Sequence, residues 1–150
     1  MKTQQEKSGG EVVFYRAPTG EFQLDVRLER ETVWLNQRQI AELLGTSSDN
    51  VSLHLKNIFK EQELEERATT ENSSVVQMEG GREIRRNVKY YNLDAILSVG
   101  YRVNSKRGTQ FRIWATQTLK DHLLRGYTLN ERRLREKGTD IEQAVALLSK

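Results

Sequence analysis

The sequence predicts an α+β fold: a winged helix-turn-helix with an N-terminal β-hairpin and additional C-terminal helices. Three observations support this class. Apolar and polar residues alternate strictly from Phe22 to Leu28, which is typical of a half-buried strand. Apolar residues at helical spacing lie on both sides of Gly45, which indicates two short helices joined by a tight turn. Two further strand-like segments follow, separated by Gly80-Gly81 as in a hairpin.

The composition is that of a globular chain of about one domain, with 150 residues, 36% hydrophobic content and a net charge of +3. The absence of cysteine excludes disulfides, a thiolate nucleophile and cysteine-based metal sites. Residues 1–10 are polar and end in two glycines, so we expect a flexible leader. There is no signal-peptide core and no run of about 18 apolar residues, so we expect a cytoplasmic protein without a membrane segment.

The predicted winged-helix domain covers residues 11–125 and opens with a hairpin. The apolar run Val12–Tyr15 forms its first strand and Phe22–Leu28 its second, with Asp25 and Arg27 on the polar face. A short strand at Thr32–Leu35 then leads into the helical part of the domain.

The helix pair carries the spacing of a DNA-reading unit. Asn36 and Gln39 form a capping box at the start of the first helix. Ala41 is the small residue where the helices approach, Gly45 allows the turn, and Val51 anchors the second helix. This spacing favours a helix-turn-helix over a generic helical hairpin.

The hairpin after the helix pair predicts a wing. Its strands are Ser74–Met78 and Glu83–Tyr91, and in the second strand the apolar residues face inward while Arg85, Arg86 and Lys89 stay in solvent. Because strict alternation breaks at Arg85-Arg86, a bulge is expected there.

Helices are predicted after the wing. Asn92 caps a helix from Leu93 to Val99, and another begins near Ser105. The second helix carries a stripe at helical spacing, formed by Phe111, Trp114, Ala115, Thr118, Leu119 and His122. From Leu124 the pattern loosens, so residues 126–150 are predicted as a linker and the start of a helical C-terminal region containing Ile141–Leu148.

The charges are segregated along the chain. Residues 82–112 hold eight basic and two acidic residues, a net charge of +6, whereas residues 57–71 hold two basic and five acidic residues. A surface divided in this way binds a polyanion in one orientation.

The candidate DNA contacts follow from these assignments. The second helix, Ser47–Phe59, is expected in the major groove and the Glu79–Tyr91 hairpin on the phosphate backbone. Because that helix has no arginine, its sequence specificity is expected to be modest, and Asp49 is assigned to helix capping. The predicted DNA-binding residues are Gln37, Ser47, Ser48, Asn50, Ser52, Lys56, Arg82, Arg85, Arg86, Lys89, Lys106 and Arg107.

Other chemistry finds little support in the sequence. His54 has no partner for a metal site, and the adjacent residues Asp121 and His122 do not face each other on a helix. Gly80-Gly81 lacks the lysine of a phosphate-binding loop, and the glutamates of residues 61–71 lack an apolar framework. We therefore predict no catalytic residue, no metal, no cofactor and no small-molecule substrate.

Three segments, TVWLNQRQIAELL at 32–44, NVSLHLKNIF at 50–59 and GYRVNSKRGTQFRIWATQTL at 100–119, together resemble the RhuM family of virulence-associated bacterial proteins. The resemblance implies a DNA-binding N-terminal region followed by a further C-terminal part, encoded with mobile elements and defence loci. It transfers no set of catalytic residues.

The leading hypothesis is a module that binds double-stranded DNA and is not an enzyme. Homodimerisation is expected, with the Phe111–His122 helix or the Ile141–Leu148 segment as the interface. Two alternatives stay open. One is a protein-interaction module that uses the stripe of Phe111 and Trp114, and the other is an accessory domain of an enzyme whose active site lies beyond residue 150.

Overall fold

The structure is a computed structural model that describes residues 10–136, with side chains up to residue 126. Over these residues the fold is α+β, with one five-stranded antiparallel sheet and five helices. The predicted class is therefore confirmed at this level. The expected leader at residues 1–10, except for Gly10, and the predicted Ile141–Leu148 segment lie outside the described residues.

Strands and helices occur in groups along the chain: three strands, three helices, two strands and two helices. The strands are β1 (Glu11–Arg16), β2 (Gln23–Glu29), β3 (Thr32–Asn36), β4 (Thr70–Glu79) and β5 (Arg82–Asn92). The helices are α1 (Gln37–Leu44), α2 (Ser48–Lys60), α3 (Glu66–Thr69), α4 (Leu93–Arg102) and α5 (Lys106–Glu136). The described residues divide into two compact units, with the boundary between Ala115 and Thr116.

The sheet has the strand order β1-β2-β3-β5-β4. The predicted N-terminal hairpin is present as β1 and β2, and β3 follows β2 through Arg30 and Glu31, both with positive φ. The β4–β5 hairpin turns at Gly80 and Gly81, whose φ angles of 60° and 77° suit the two central positions of a tight hairpin turn.

The β4–β5 hairpin projects beyond the rest of the sheet. β3 pairs with β5 only at Tyr90–Asn92, so the Arg82–Lys89 part of β5 is paired with β4 alone. We call the projecting ribbon, residues 72–89, the arm; at about 3.3 Å per residue it extends roughly 25 Å. Its register is uninterrupted from Thr70 opposite Tyr91 to Glu79 opposite Arg82, so the bulge expected at Arg85-Arg86 is absent.

The core of the first unit lies between one face of the sheet and the helices. Val26, Val33 and Leu35 are fully buried on that face, because alternate residues of a strand point to the same side. The helices contribute further fully buried side chains, namely Ile40, Leu43, Val51, Ile58, Ile96, Val99 and Phe111. Burying each such side chain contributes about 1.5–3 kcal/mol.

Two expectations about individual segments are corrected by the structure. Arg27 is only 8% exposed, although the strand pattern placed it on a solvated face. The last helix does not loosen at Leu124 but continues to Glu136, because the residues that follow are mostly good helix formers.

Candidate nucleic-acid interface

The turn between α1 and α2 is held by local hydrogen bonds. The Asn36 side chain accepts from the Gln39 amide at 2.9 Å, and Gln39 Oε1 accepts from the Asn36 amide at 2.9 Å, so the predicted capping box is present. Gly45 ends α1 at φ 70° and ψ 37°, a left-handed conformation that glycine adopts without a Cβ penalty. These features fix the direction in which α2 begins.

Four of the predicted DNA-contacting residues take part in this internal network. Gln37 Nε2 donates to the Ser48 carbonyl at 2.9 Å and to the Ser48 hydroxyl at 3.0 Å. Ser47 is the N-cap of α2 and accepts from the Asn50 amide at 3.1 Å, while Asn50 Nδ2 donates to Thr46 at 2.9 Å. Their side chains therefore position α2. A ligand would contact only the donor and acceptor positions that these internal hydrogen bonds leave unused.

α2 presents one face to the interior and another to solvent. Val51, Leu55 and Ile58 hold it against the core. The opposite face carries the exposed residues Asp49, Leu53, Lys56 and Lys60, with half-buried Ser52 beside them. Asp49 lies in the first turn, where a carboxylate interacts favourably with the helix dipole, but the cap itself is Ser47.

The arm turns a polar face toward the helical side of the sheet. Arg85, Asn87 and Lys89 alternate along β5 with the same phase as Tyr91, which is buried in the core. They therefore lie on the helix-facing side of the ribbon. Arg85 Nη1 donates to Ser74 across the ribbon at 3.4 Å.

Two adjoining clefts separate the helices from the arm. One, of about 340 Å³, is lined by Ser52, Lys56 and Phe59 of α2 together with Lys89. The other, of about 630 Å³, lies between the start of α1 and the arm. Both are also lined by Gln37 and Tyr91, and we call the continuous depression the α2–arm groove.

Internal ion pairs neutralise several cations of residues 82–112, which we call the basic block. Arg86 makes a two-pronged pair with Glu79 at 2.7 and 2.6 Å, which raises the pKa of Arg86 and lowers that of Glu79. Lys89 pairs with Glu66, and the hydrogen bond raises the pKa of the Lys89 amine.

Ion pairs also join the C-terminal end of α4 to the acidic stretch at residues 57–71. Arg102 binds Glu61 and Glu63, each at 2.8 Å. Part of the acidic stretch at residues 57–71 therefore lies against Lys89 and Arg102, so the segregation of charge along the sequence is only partly kept in the folded chain.

Other cations on the groove walls and on the arm remain available. Arg38, Lys56, Arg82 and Arg85 are exposed and form no ion pair within the part of the chain that the structure describes. Arg38 lines the larger cleft and was missed by the sequence reasoning. Its signal was its place in the first turn of α1, two residues after the N-cap Asn36.

Seven of the predicted contacts do not line the groove, namely Ser47, Ser48, Asn50, Arg82, Arg85, Lys106 and Arg107. Arg107 packs at the C-terminal end of α1, pairing with Glu21 at 2.8 Å and lying 5.4 Å from the Phe22 ring centroid. Lys106 precedes it at the start of α5. The arm root lies beside the opposite end of α1, about 12 Å away along an eight-residue helix.

The aromatic stripe of α5 begins in the core of the first unit. Phe111 is fully buried, and its ring centroid lies 5.1 Å from that of Tyr15. Trp114 is half-buried and 5.0 Å from the same tyrosine. The Phe111 side chain is therefore unavailable as a partner surface.

The described residues show no metal-binding cluster of three or more histidine or carboxylate side chains. His54 is half-buried on α2, in keeping with a packing role. Over the same part of the chain, no helix combines the length and the apolar character needed to cross a membrane.

Comparison with known families identifies the group to which the chain belongs. The model of the virulence protein RhuM family matches residues 68–147, and the chain is a member of that family. The match begins just before β4 and includes the arm and α4. Membership places the protein in a virulence-associated context. No curated protein and no solved structure matches the chain significantly.

Proposed function

We propose that this chain is a double-stranded DNA-binding module of the winged helix-turn-helix type. α2 enters the major groove, and the arm acts as the wing that contacts the phosphate backbone. The α2–arm groove and the arm beside it support this proposal, because both carry cations without an internal ion pair. Arg38 and Lys56 line the groove from the helices. Arg85 lies on the helix-facing side of the arm, and Arg82 lies next to its turn.

The dimensions of the two walls suit a duplex. A helix fits a major groove about 12 Å wide, and an arm of roughly 25 Å reaches the neighbouring backbone. The Lys56, Arg82 and Arg85 side chains supply sequence-independent affinity that falls steeply with salt. In this proposal the module needs no cofactor, performs no catalytic step and acts in the cytoplasm.

We also propose that the protein works as a homodimer that reads two half-sites. Because Phe111 is buried, the interface lies further along α5, in the second unit. Leu123 is 53% exposed there and offers an apolar contact to a partner. Light scattering after size-exclusion chromatography tests this, and a monomer mass at tens of micromolar protein contradicts it.

Fluorescence anisotropy with labelled random-sequence duplex DNA at several salt concentrations tests the DNA-binding function. In the Lys56→Ala/Arg85→Ala variant the affinity should fall, and the slope of log Kd against log salt should flatten by about 2, roughly 0.9 per lost phosphate contact. Arg16→Ala/Arg112→Ala removes the same charge outside the groove and should leave the slope unchanged.

Absence of binding at low salt overturns the proposal and favours a protein-interaction module. Equal losses in the two double variants overturn the assignment of the groove.

A further inference from the structure

An exposed apolar side chain lies on the outward face of α2. Leu53 is 55% exposed, whereas its neighbours Val51 and Leu55 are buried in the core. It follows Asp49 by one helical turn and precedes Lys56 by nearly one turn, so the three side chains share a face. On a helix that lies in a major groove, this face meets the edges of the bases.

Asp49 limits what that face can contact. Its carboxylate is exposed and forms no ion pair within the described residues. Phosphate repels a carboxylate, whereas the exocyclic amines of cytosine and adenine donate hydrogen bonds in the major groove. The start of α2 therefore suits base edges better than backbone.

We infer that Leu53 determines sequence specificity by packing against the 5-methyl group of a thymine in the major groove. This inference rests on the proposed DNA-binding function. The thymine methyl is the apolar group that the major groove offers, and an aliphatic side chain recognises it by excluding water. Asp49 accepts a hydrogen bond from an amine on a neighbouring base, and Lys56 contacts phosphate.

The composition of the helix agrees with this assignment. Arginine makes the most frequent specific contact with guanine, and α2 contains none. Ser52 bonds to several base edges without strong preference. The apolar contact of Leu53 is then the most discriminating interaction that the face provides.

Uracil tests the contact directly, because it differs from thymine only by the missing methyl group. A duplex is first enriched from a random-sequence pool by the full chain, and variants with one thymine replaced by uracil are then compared by anisotropy. The wild-type chain should bind about fourfold more weakly when one particular thymine is replaced, the effect of losing one buried methyl group.

Leu53→Ala should bind the thymine and uracil duplexes equally. Ile113→Ala removes an apolar side chain of similar exposure, 58%, from α5 and should retain the discrimination. Circular dichroism confirms that both variants are folded.

The inference is overturned if the wild-type chain binds every uracil-substituted duplex as tightly as the thymine duplex. It is also overturned if Leu53→Ala still distinguishes thymine from uracil as strongly as the wild-type chain does. Both results leave the DNA-binding function intact. Failure to enrich or bind any duplex overturns the proposed function together with the inference.

Discussion

Replacing Arg27 by methionine tests how the root of the arm is held. Arg27 lies on β2, on the sheet face away from the helices, with its guanidinium carbon 4.4 Å from the Tyr90 ring centroid and 5.5 Å from that of Trp34. It also pairs with Glu71 at the base of β4. The side chain therefore links β2 to both strands of the hairpin.

The expected loss of stability follows from these contacts. Removing one partner of a buried ion pair costs about 3–5 kcal/mol. The cost of removing the Arg27–Glu71 pair is smaller than this, because Glu71 is 27% exposed and keeps a second partner, Arg30, at 2.9 Å. The lost contact with the Tyr90 ring adds about 1–2 kcal/mol, and the methionine stem retains part of the packing. Arg27→Met should thus lower the free energy of unfolding by roughly 2–3 kcal/mol, or about 5–10 °C in melting temperature.

Urea unfolding followed by circular dichroism and tryptophan emission measures this loss. Arg30→Met is the matched control, because Arg30 also pairs with Glu71 and lies 5.0 Å from the Trp34 ring centroid, but its side chain is 56% exposed. The control should lose less than about 1 kcal/mol. Equal losses in the two variants would refute the argument that burial gives Arg27 its role.

Three further results are expected. Gly45→Ala should lower the free energy of unfolding by about 1–2 kcal/mol, because alanine at φ 70° is strained. Glu79→Gln should tighten DNA binding and steepen the salt slope by about 0.9, because it releases Arg86 for phosphate. The hydrogen bond from Arg102 lowers the pKa of Glu63 in the folded chain, so this pair stabilises the fold above the ordinary glutamate range. The stability difference between wild type and Glu63→Gln should therefore shrink as the pH falls from about 5 through the lowered pKa.

Each of these results has its own control. Gly20→Ala has a similar φ of 78° but open space around the new Cβ, whereas the Cβ at Gly45 lies 2.8 Å from an Arg107 nitrogen, so Gly45→Ala should cost more. Glu83→Gln removes an arm carboxylate without releasing a cation and should leave the salt slope unchanged. A stability difference for Glu63→Gln that grows on acidification would contradict the assigned direction of its pKa.

The local features of the fold were predictable from the sequence. The caps at Asn36 and Asn92 and the left-handed Gly45 were identified, because each depends on residues a few positions apart. The role of Arg27 was not predictable, since its partner Glu71 lies 44 positions away. Arg102 likewise meets Glu61 across 41 positions, so linear charge counts misjudged how much basic surface stays free.

This difference matters for the proposed function, because DNA affinity depends on unpaired cations and not on net charge. Four of the eight basic residues between positions 82 and 112 form internal ion pairs, namely Arg86, Lys89, Arg102 and Arg107. In the proposed DNA complex, the exposed cations that remain unpaired make the phosphate contacts, and the salt dependence of binding reports their number. Selectivity in that complex comes from the outward face of α2, where a leucine and a carboxylate favour base edges over backbone.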